Sequence, residues 1–482
     1  MESFQTIFTL FNGFIMFYVV LINCFYLTLF LLSFGKIRDY MKRSRYGEYL
    51  EINSSDLTPP VSVLVPAYNE ELTLRDSLES LLQLNYPEYE IIVVNDGSKD
   101  RTLEVLQEHF HLVEMTQIVR YQIPTKKIKG LYRSTLYPNL IVVDKENGGK
   151  ADALNTGINI SSYPYFCGID ADSLLERDAL IKAMRPFVEG HDEIVACGGI
   201  IRIANGCKIR NGRVEEVNIP KNILALHQVI EYLRSFLMGR IGMSSLNSLL
   251  IISGAFGIFR KRDVIQIGGY DTGTVGEDME LVIRLQKHMY ETKSSGKVLF
   301  VPDPVCWTEA PENISVLRKQ RTRWALGLIE SMYKHRKIIF NPQYRTMGLF
   351  TMPYFFLVEM LGPPIELLGL ILFGFGLAYG LVSIHFAMLF LIATLVFGIF
   401  LSMTAVLLEE YSFRKYTKVS HFIKLFLFSI VENFWYRQVN AVWRTYAFLR
   451  FFRKDHNWGA MERKGLTGSN NVPTVPKDTA GL

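Results

Sequence analysis

The amino-terminal part of the chain is apolar over a length that fits a membrane. No charged residue occurs between Ser3 and Phe34, and this stretch is rich in Phe, Leu, Ile and Val. A bilayer core of about 30 Å is crossed by about 20 helical residues. The pattern predicts a transmembrane helix over residues 1–35, because the run is too long for the apolar region of a signal peptide.

Positive charge follows this helix directly. Lys and Arg are enriched in cytoplasmic loops of membrane proteins. We therefore expect a plasma-membrane protein whose amino terminus lies outside the cell, with a basic cytosolic linker over residues 36–55 and a cytoplasmic domain beyond it. The basic cluster consists of Lys36, Arg38, Lys42, Arg43 and Arg45.

The next region alternates short β-branched runs with amphipathic stretches and predicts a water-soluble α/β domain over residues 56–310. Strands separated by helix-length segments favour βαβ units and a largely parallel sheet. Residues 112–138 interrupt the rhythm and indicate an insertion or an irregular edge. The predicted strands are 61–66, 90–96, 139–144 and 165–170, and the predicted helices are 70–83, 101–109 and 176–187.

A second apolar region predicts a bundle of transmembrane helices over residues 347–450, after interfacial amphipathic helices at 311–346. Between Gly348 and Leu408 the only charged residues are Glu359 and Glu366. Two prolines at 363–364 break this region, residues 383–408 form its clearest span, and the path of 422–449 is ambiguous. We expect about four crossings here and a cytosolic tail at 451–482 that ends in disorder.

Acidic residues in hydrocarbon are costly, so those of this region are expected to face a polar cavity or channel. The residues concerned are Glu359, Glu366 and Glu432. For Glu366, an ion pair near the proline break is the alternative.

Composition narrows the function class. The 482 residues are 49% hydrophobic and 21% charged, with a net charge of +5, which excludes a disordered chain and disfavours a nucleic-acid binder. The five cysteines lie apart, without the spacing of a zinc site, and are expected to be reduced thiols.

Two polar motifs follow the first two predicted strands, at residues 66–70 (PAYNE) and 94–98 (VNDGS). Ligands of open parallel sheets bind where the strands end at their carboxyl edge. A carboxylate such as Asp96 can accept hydrogen bonds there from a uracil imide or a ribose. A turn with a helix cap is the alternative, and the occurrence of both motifs one βαβ interval apart weakens it.

Two further motifs favour phosphate and metal chemistry. In residues 147–155 (NGGKADALN), two glycines allow close backbone approach and Lys150 opens a helix whose dipole favours phosphate. At the end of an apolar strand, Asp170 and Asp172 stand at i and i+2, so both carboxylates can face one divalent cation. The alternatives are an ordinary helix start and a solvated strand end.

The last two motifs favour transfer to a sugar acceptor. Glu277 and Asp278 precede an amphipathic helix, and Asp278 is the better candidate for the base that deprotonates an acceptor hydroxyl. On a helix, Gln320, Arg323 and Trp324 share one face, where arginine suits a diphosphate and an indole suits a sugar ring. An acidic helix start and an interfacial aromatic belt are the alternatives.

In this order, these motifs resemble the processive, inverting family 2 glycosyltransferases of membranes, such as cellulose, chitin, hyaluronan and poly-N-acetylglucosamine synthases. The resemblance implies an α/β GT-A (Rossmann-like) cytosolic domain inserted between transmembrane helices, which binds a UDP-sugar and Mg²⁺ or Mn²⁺. It assigns uridine contacts to Ala67, Tyr68, Glu70 and Asp96, nucleotide contacts to Lys150 and Asp170, the metal to Asp172, the base motif to Glu277 and Asp278, the diphosphate to Gln320 and Arg323, and the acceptor sugar to Trp324.

The sequence departs from the family pattern at three places. Gly276 replaces the usual Thr of the base motif, Asn95 replaces an Asp before Asp96, and residues 253–257 (SGAFG) replace the Phe-Cys-Gly acceptor motif of cellulose synthases. No cyclic-di-GMP-binding PilZ domain is recognised after the membrane region.

The function expected from the resemblance is synthesis of a β-linked polysaccharide from UDP-glucose or UDP-N-acetylglucosamine, with secretion through the protein's own helices. The sugar, the linkage and any accessory export subunits stay open. One alternative is an enzyme that adds a single sugar to a membrane lipid carrier. Another is a catalytically silent scaffold or transporter that keeps a nucleotide-sugar-binding domain.

Overall fold

The computed structural model describes residues 2–46, 58–116, 118–190 and 193–453. Two predicted regions lie largely outside the described residues. They are the second half of the predicted linker, from residue 47, and the predicted cytosolic tail from residue 454, with the end for which disorder is predicted.

A ten-stranded mixed sheet forms the centre of the soluble domain, in the order β3-β4-β5-β2-β1-β6-β11-β8-β12-β7. A separate hairpin pairs β9 with β10. The strands are β1 (Val61–Ala67), β2 (Tyr89–Asn95), β3 (Leu112–Glu114), β4 (Ile128–Ser134), β5 (Leu140–Lys145), β6 (Tyr165–Gly168), β7 (Ser173–Leu175), β8 (Ile194–Ile203), β9 (Lys208–Arg210), β10 (Arg213–Glu216), β11 (Gly257–Arg260) and β12 (Lys297–Thr308).

The four predicted strands are β1, β2, β5 and β6, and these are parallel neighbours in the middle of the sheet. Outside this block the expectation of a largely parallel sheet holds for β8 and β12 and is wrong elsewhere, because β3, β4, β7 and β11 pair antiparallel with their neighbours. The irregular edge expected at 112–138 is the antiparallel pair of β3 and β4. Strand β8 was missed because it is buried along its whole length and has no alternating pattern.

Helices pack on both sides of the sheet and on one another. The helix predicted at 70–83 is shorter, because residues 71–73 form a turn. In chain order the helices of the soluble region are α2 (Leu74–Leu81), α3 (Thr102–Phe110), α4 (Lys150–Ile160), α5 (Ala179–Glu189), α6 (Ile223–Leu233), α7 (Ile241–Ser245), α8 (Lys261–Gln266), α9 (Glu277–Glu291) and α10 (Ile314–Lys334). A π-helical turn, Arg234–Arg240, joins α6 to α7.

Apolar helices flank this domain in sequence. They are α1 (Glu2–Tyr46), which precedes the sheet, and α11 (Met347–Met360), α12 (Gly362–Ala378), α13 (Ile384–Ser412), α14 (Val419–Val431) and α15 (Tyr436–Phe452), which follow it.

Two of these helices, α1 over Leu10–Lys42 and α13, are long and apolar enough to cross a bilayer. The chain is therefore a membrane protein. Helices α11 and α12 meet at a 42° bend beside the two prolines and together form a third candidate, either a broken span or a re-entrant loop. Within the described residues, length and composition thus indicate two or three spans, fewer than the five expected. The ambiguous region 422–449 is divided between α14 and α15 by a 3₁₀ turn, Glu432–Phe434.

Ion pairs join the soluble domain to the apolar helices. Arg202 of β8 donates to Glu409 of α13 at 2.7 Å, and both side chains are buried. Arg234 donates to Glu432 at 2.5 Å. Because a buried charge is stable only when it is paired, these contacts fix the sheet at one place relative to α13 and α14.

Candidate active site

The uridine-binding residues predicted from the sequence lie where β1 and β2 end. Ala67 pairs in register with Asn95, and the backbone N–H of Asp96 donates to the Ala67 carbonyl at 2.9 Å. Ala67 and Glu70 are buried, whereas Tyr68 is 44% exposed. The Thr73 hydroxyl donates to the Glu70 carboxylate at 2.6 Å and fixes the turn that leads into α2.

The Asp96 carboxylate is bonded within the protein. It accepts hydrogen bonds from the backbone N–H of Gly148 at 2.9 Å and of Gly149 at 2.7 Å. Gly149 has φ of 88°, a conformation that glycine adopts readily and other residues avoid. The two glycines therefore turn their amides towards Asp96, and the carboxylate holds the loop that leads into α4.

A fully buried lysine completes this arrangement, and the sequence analysis missed it. Lys145, at the end of β5, donates to Asp96 at 2.5 Å and to the Glu146 carbonyl at 2.6 Å, and it lies 2.7 Å from Asp152. The signal in the sequence was a lysine that ends the apolar strand 140–145. Two buried carboxylates around one buried ammonium form a compact network that needs all three charges.

A cavity of about 830 Å³ lies between the sheet edge, α9, α10 and the apolar helices. Eight of the predicted site residues line it: Lys150, Asp170, Asp172, Glu277, Asp278, Gln320, Arg323 and Trp324. Residues of the apolar helices line it as well: Tyr26, Tyr354, Phe355, Glu359, Leu401, Asn440 and Arg444. Ala67, Tyr68, Glu70 and Asp96 are not part of its lining, although Asp96 bonds to the loop next to Lys150.

Lys150 is the cation at the sheet side of the cavity. Its ammonium lies 2.5 Å from a carboxylate oxygen of Asp170 and 3.6 Å from one of Glu277. Burial alone would lower the pKa of Lys150, but these two carboxylates outweigh it and raise the pKa, which keeps the side chain charged.

Asp170 and Asp172 lie in a turn between β6 and β7, so their predicted position on a single strand is wrong. The Ser173 N–H donates to the Asp170 carbonyl at 3.0 Å, which closes the turn. Both residues nonetheless line the cavity. No cluster of three or more His, Cys, Asp or Glu among the described residues could hold a metal ion. Asp170 and Asp172 could therefore give a hard cation at most two carboxylate ligands, and such a cation would take its other ligands from water or from a bound diphosphate.

Glu277 and Asp278 begin α9 and differ in environment. Glu277 is buried, which raises the pKa of its carboxyl group, whereas Asp278 is half-buried and faces the cavity. One Asp278 oxygen accepts from the Met279 N–H at 2.8 Å and the other from the Gly254 N–H at 3.2 Å. A Cβ on Gly254 would lie 2.7 Å from the Lys150 ammonium, so glycine lets these groups approach one another.

Helix α9 is held closely against α10. A Cβ on Gly276 would lie 2.8 Å from the Gly327 Cα, so a side chain on either glycine would push the helices apart. Glu330 of α10 accepts from the Thr274 hydroxyl at 2.8 Å and from the Val275 N–H at 3.0 Å. Gly276, a departure from the family pattern, therefore lies at the contact that places the predicted base motif beside α10.

Helix α10 presents Gln320, Arg323 and Trp324 to the cavity, as its helical spacing predicted. Trp324 is 44% exposed, and the Arg321 guanidinium lies 4.3 Å from the centre of its ring. Arg321, which the sequence analysis did not single out, is buried and donates to Glu231 of α6 at 2.7 Å. It therefore supports the indole and anchors α10 to α6.

The intramembrane acids of the sequence analysis all have cationic partners, and one of them lines the cavity. Glu359 does so, with Arg444 at 3.0 Å. Glu432 pairs with Arg234, as described above. Glu366 lies 3.5 Å from Arg437 and is not part of the lining, so the alternative of an ion pair near the proline break is confirmed for it.

Comparison with known families gives a direct result. The family model for glycosyl transferase family 2 matches residues 62–267, and that for glycosyl transferase family group 2 matches residues 165–430, more than half of the chain. The chain belongs to the family 2 glycosyltransferases. The resemblance found in the sequence is confirmed, and so is the GT-A fold class, with a Rossmann-like sheet core and apolar helices on both sides of it in the chain.

Two curated relatives are similar to this glycosyltransferase over about two thirds of its length. The poly-β-1,6-N-acetyl-D-glucosamine synthase of Staphylococcus epidermidis is 30% identical over 317 residues, 65% of either chain. Its counterpart from Staphylococcus aureus (strain COL) is 31% identical over 323 residues, 66% of this chain and 65% of the relative. The glycosyltransferase thus spans slightly less than two thirds of the length of these relatives.

The solved structures that match this chain are more distant in sequence. A mannosyltransferase from Pyrobaculum calidifontis, in complex with GDP-Man and Mn²⁺, is 18% identical with a TM-score of 0.49 and covers 86% of this chain and 99% of its own. Residues 1–349 of Staphylococcus aureus TarS are 15% identical with a TM-score of 0.36, and the match covers 79% of this chain and 92% of that one.

Proposed function

We propose that this glycosyltransferase is a processive synthase that transfers sugar from a UDP-sugar to a growing β-linked glycan and secretes the product through its own helices. The observation that carries the proposal is the cavity of about 830 Å³, whose lining includes both Asp278 and residues of the apolar helices such as Glu359. A product made at one end of such a space has a polar route towards the other end.

The names of the relatives favour UDP-N-acetylglucosamine over UDP-glucose as the donor, since both are poly-β-1,6-N-acetyl-D-glucosamine synthases. We place the enzyme in the plasma membrane with several crossings and its catalytic domain on the cytoplasmic side. The cation-rich end of α1 supports that orientation, with Lys36, Arg38 and Lys42 after the apolar stretch.

In the proposed reaction, Asp278 accepts the proton of the acceptor hydroxyl while the hydroxyl oxygen attacks the anomeric carbon of the donor. A new C–O bond forms as the bond from the sugar to the diphosphate breaks on the opposite face, which inverts the configuration. Asp278 suits the role because it lines the cavity and its carboxylate accepts hydrogen bonds from two backbone N–H groups, with no cationic side chain within 4 Å among the described residues. Glu277 is buried beside Lys150 and contributes charge to the donor side.

The nucleotide would lie across the sheet edge. Ala67, Tyr68, Glu70 and Asp96 form the uridine end, while Lys150, Asp170, Gln320 and Arg323 surround the diphosphate. Asp172 would hold the Mg²⁺ or Mn²⁺, which when bound neutralises negative charge on the departing UDP. Lys150 and Arg323 add fixed positive charge at the same place.

The acceptor would stack on Trp324. An indole face suits the apolar side of a sugar ring, and Arg321 behind it keeps the indole in one orientation. The cavity lining also includes aromatic and hydrogen-bonding side chains of the apolar helices, among them Tyr26, Tyr354 and Asn440. Such a lining fits a sugar chain, which has apolar faces and a polar rim.

The proposal is tested with purified protein in lipid vesicles, offered a panel of labelled UDP-sugars with Mg²⁺ or Mn²⁺. We expect a long polymer from one donor, and linkage-specific hydrolases then identify the bond. A product of a single sugar on a lipid carrier would show a non-processive enzyme, and binding of UDP-sugar without UDP release would show a silent scaffold.

A further inference from the structure

One cation of the cavity differs from the others in its partners. Lys150, Arg234, Arg321 and Arg444 each have a carboxylate within 4 Å, at Asp170, Glu432, Glu231 and Glu359 respectively, and Arg323 also has an interaction partner. Arg240 also lines the cavity, but in the part of the chain that the structure describes it has no ion pair, and its Nη1 atom is buried without a hydrogen-bond partner.

The backbone holds this arginine in an unusual place. Arg240 ends the π-helical turn Arg234–Arg240, and π-helical turns inside helices are frequent at functional sites. Its guanidinium lies 3.8 Å from the centre of the Phe236 ring, so a cation–π contact orients the planar group of a residue that lines the cavity. Burial lowers the pKa of Arg240 to about 10, which still leaves the group charged at neutral pH.

The surroundings of Arg240 locate it on the acceptor side. The Phe236 ring that Arg240 contacts lies 5.5 Å from the Tyr232 ring, and the negative charge of Asp278 acts to raise the pKa of Arg240 against the effect of burial. The Tyr232 ring lies 6.4 Å from the Trp324 ring. Arg240 therefore lies near both the proposed base and the aromatic pair, whereas Lys150 and Asp170 form the donor side.

A charged donor that is buried without a partner is unfavourable unless a ligand supplies acceptors. We propose that Arg240 binds the acceptor, with its guanidinium N–H groups donating to hydroxyl or acyl oxygens of the terminal sugar so that the attacking hydroxyl faces Asp278. This inference rests on the proposed function, because it assumes a sugar acceptor in the cavity. It adds an acceptor-binding residue from a segment in which no sequence motif was recognised.

The test compares Arg240→Met, which keeps most of the side-chain length and the contact with Phe236, with Arg240→Lys, which keeps the charge but loses the planar fork. Arg336→Met is the matched control, since the Arg336 guanidinium lies 4.5 Å from the Tyr333 ring on an exposed surface away from the cavity. The rate of sugar transfer is measured against the concentration of an oligosaccharide primer, and UDP affinity is measured by calorimetry.

Hydrogen bonds from a charged donor contribute about 1.5–3 kcal/mol. We therefore expect Arg240→Met to lower kcat/KM for the primer by about 10- to 100-fold, Arg240→Lys to lower it less, and UDP affinity to change by less than about twofold. The control is expected to match the wild type. Should Arg240→Met fail to fold, the Lys variant carries the same comparison.

Two results would overturn the inference. An unchanged kcat/KM for the primer would show that Arg240 does not bind the acceptor, and a parallel loss of UDP affinity would assign Arg240 to the diphosphate. A wild-type protein that transfers sugar to no primer and makes no polymer would instead contradict the proposed function itself.

Discussion

The two ends of the cavity are built in different ways. Behind the sheet end, outside the cavity lining, Lys145 bonds to both Asp96 and Asp152, and the loop before Lys150 is tied to the Asp96 carboxylate. At the membrane end, the lining comes from helices, and π-helical turns occur at Arg234–Arg240 and Phe355–Met360. The first end is fixed by buried charges, and the second by helix packing in which Arg240 has no ion pair with any described residue.

The difference shows which part of the site is prearranged. A buried network that satisfies its own charges keeps its geometry without a ligand. A π-helical turn moves side chains out of the regular helix register, and it persists where packing or function compensates. We infer that the donor end is rigid before substrate binds and that the acceptor end depends on contacts with the glycan.

Asp278 lines the cavity as the proposed base, and its substitution has the largest expected effect on activity. Asp278→Asn keeps the shape of the side chain but cannot accept the proton, so sugar transfer falls by about 10²- to 10⁴-fold. UDP binding is retained, because the donor end does not depend on this carboxylate. Asp271→Asn, in the same segment but outside the cavity lining, is the control. Normal polymerisation by Asp278→Asn would disprove the assignment of the base.

Removing the central cation tests the rigidity of the donor end. Lys145→Met leaves Asp96 and Asp152 buried without a counter-charge, which destabilises the fold by about 3–5 kcal/mol. The loop 147–149 is expected to loosen. UDP affinity should therefore fall by a larger factor than the apparent KM for a primer rises. Thermal unfolding and calorimetry of the detergent-solubilised protein provide the measurements, with Lys129→Met on the exposed face of the neighbouring strand as control. If UDP affinity and primer binding weakened by the same factor, the donor end and the acceptor end of the cavity would not be structurally independent.

Charged side chains around Glu280 also hold α9 against α10. Their contribution to stability is expected to depend on pH. Burial acts to raise the pKa of Glu280, but hydrogen bonds from His335, Arg284 and Lys334 outweigh it and lower the pKa to about 2. A lowered pKa stabilises the fold above the ordinary value of 4.5, and this contribution is lost as the pH falls from about 4.5 to about 2.

Glu280→Gln is therefore expected to destabilise the protein by roughly 3 kcal/mol at neutral pH. The difference from the wild type shrinks as the pH falls below 4.5. Unfolding is followed between pH 7 and pH 3, with the partly exposed Glu291→Gln at the other end of α9 as control. A difference that does not vary with pH would mean that the Glu280 charge does not support this contact.

Much of the donor end could be predicted from the sequence, because a strand that ends in polar residues places them at a shared sheet edge. The ends of β1 and β2 and the positions of Lys150 and Asp170 follow from that rule. Lys145 was hidden because a lysine at a strand end is usually exposed, and only the pairing of β2 with β5 brings it to Asp96.

The acceptor end was less predictable, since it depends on helices far apart in sequence. The spacing of Gln320 and Trp324 correctly indicated a face of α10. Nothing local shows that Arg321 reaches Glu231, that Gly327 meets Gly276, or that a π-helical turn presents Arg240. These features arise from packing, which periodicity does not encode.

The smallest expected effect concerns the spacing of α9 and α10. A Cβ in Gly327→Ala would lie 2.7 Å from the Gly276 Cα, so the helices must separate slightly, at a cost of about 1–3 kcal/mol. Transfer is expected to fall several-fold while UDP affinity holds. Gly374→Ala in α12, where a Cβ meets nothing within 4 Å, should behave as the wild type. An unchanged transfer rate in Gly327→Ala would show that this spacing does not control the base.

The central claim is that synthesis and membrane passage share one cavity. Sealed vesicles containing the protein, supplied from outside with labelled UDP-N-acetylglucosamine and a divalent cation, test it directly through the location of the product. The account predicts polymer inside the vesicles, protected from an added glycan hydrolase until detergent is supplied. Polymer that is digested completely without detergent, or a single labelled sugar attached to lipid, would contradict it.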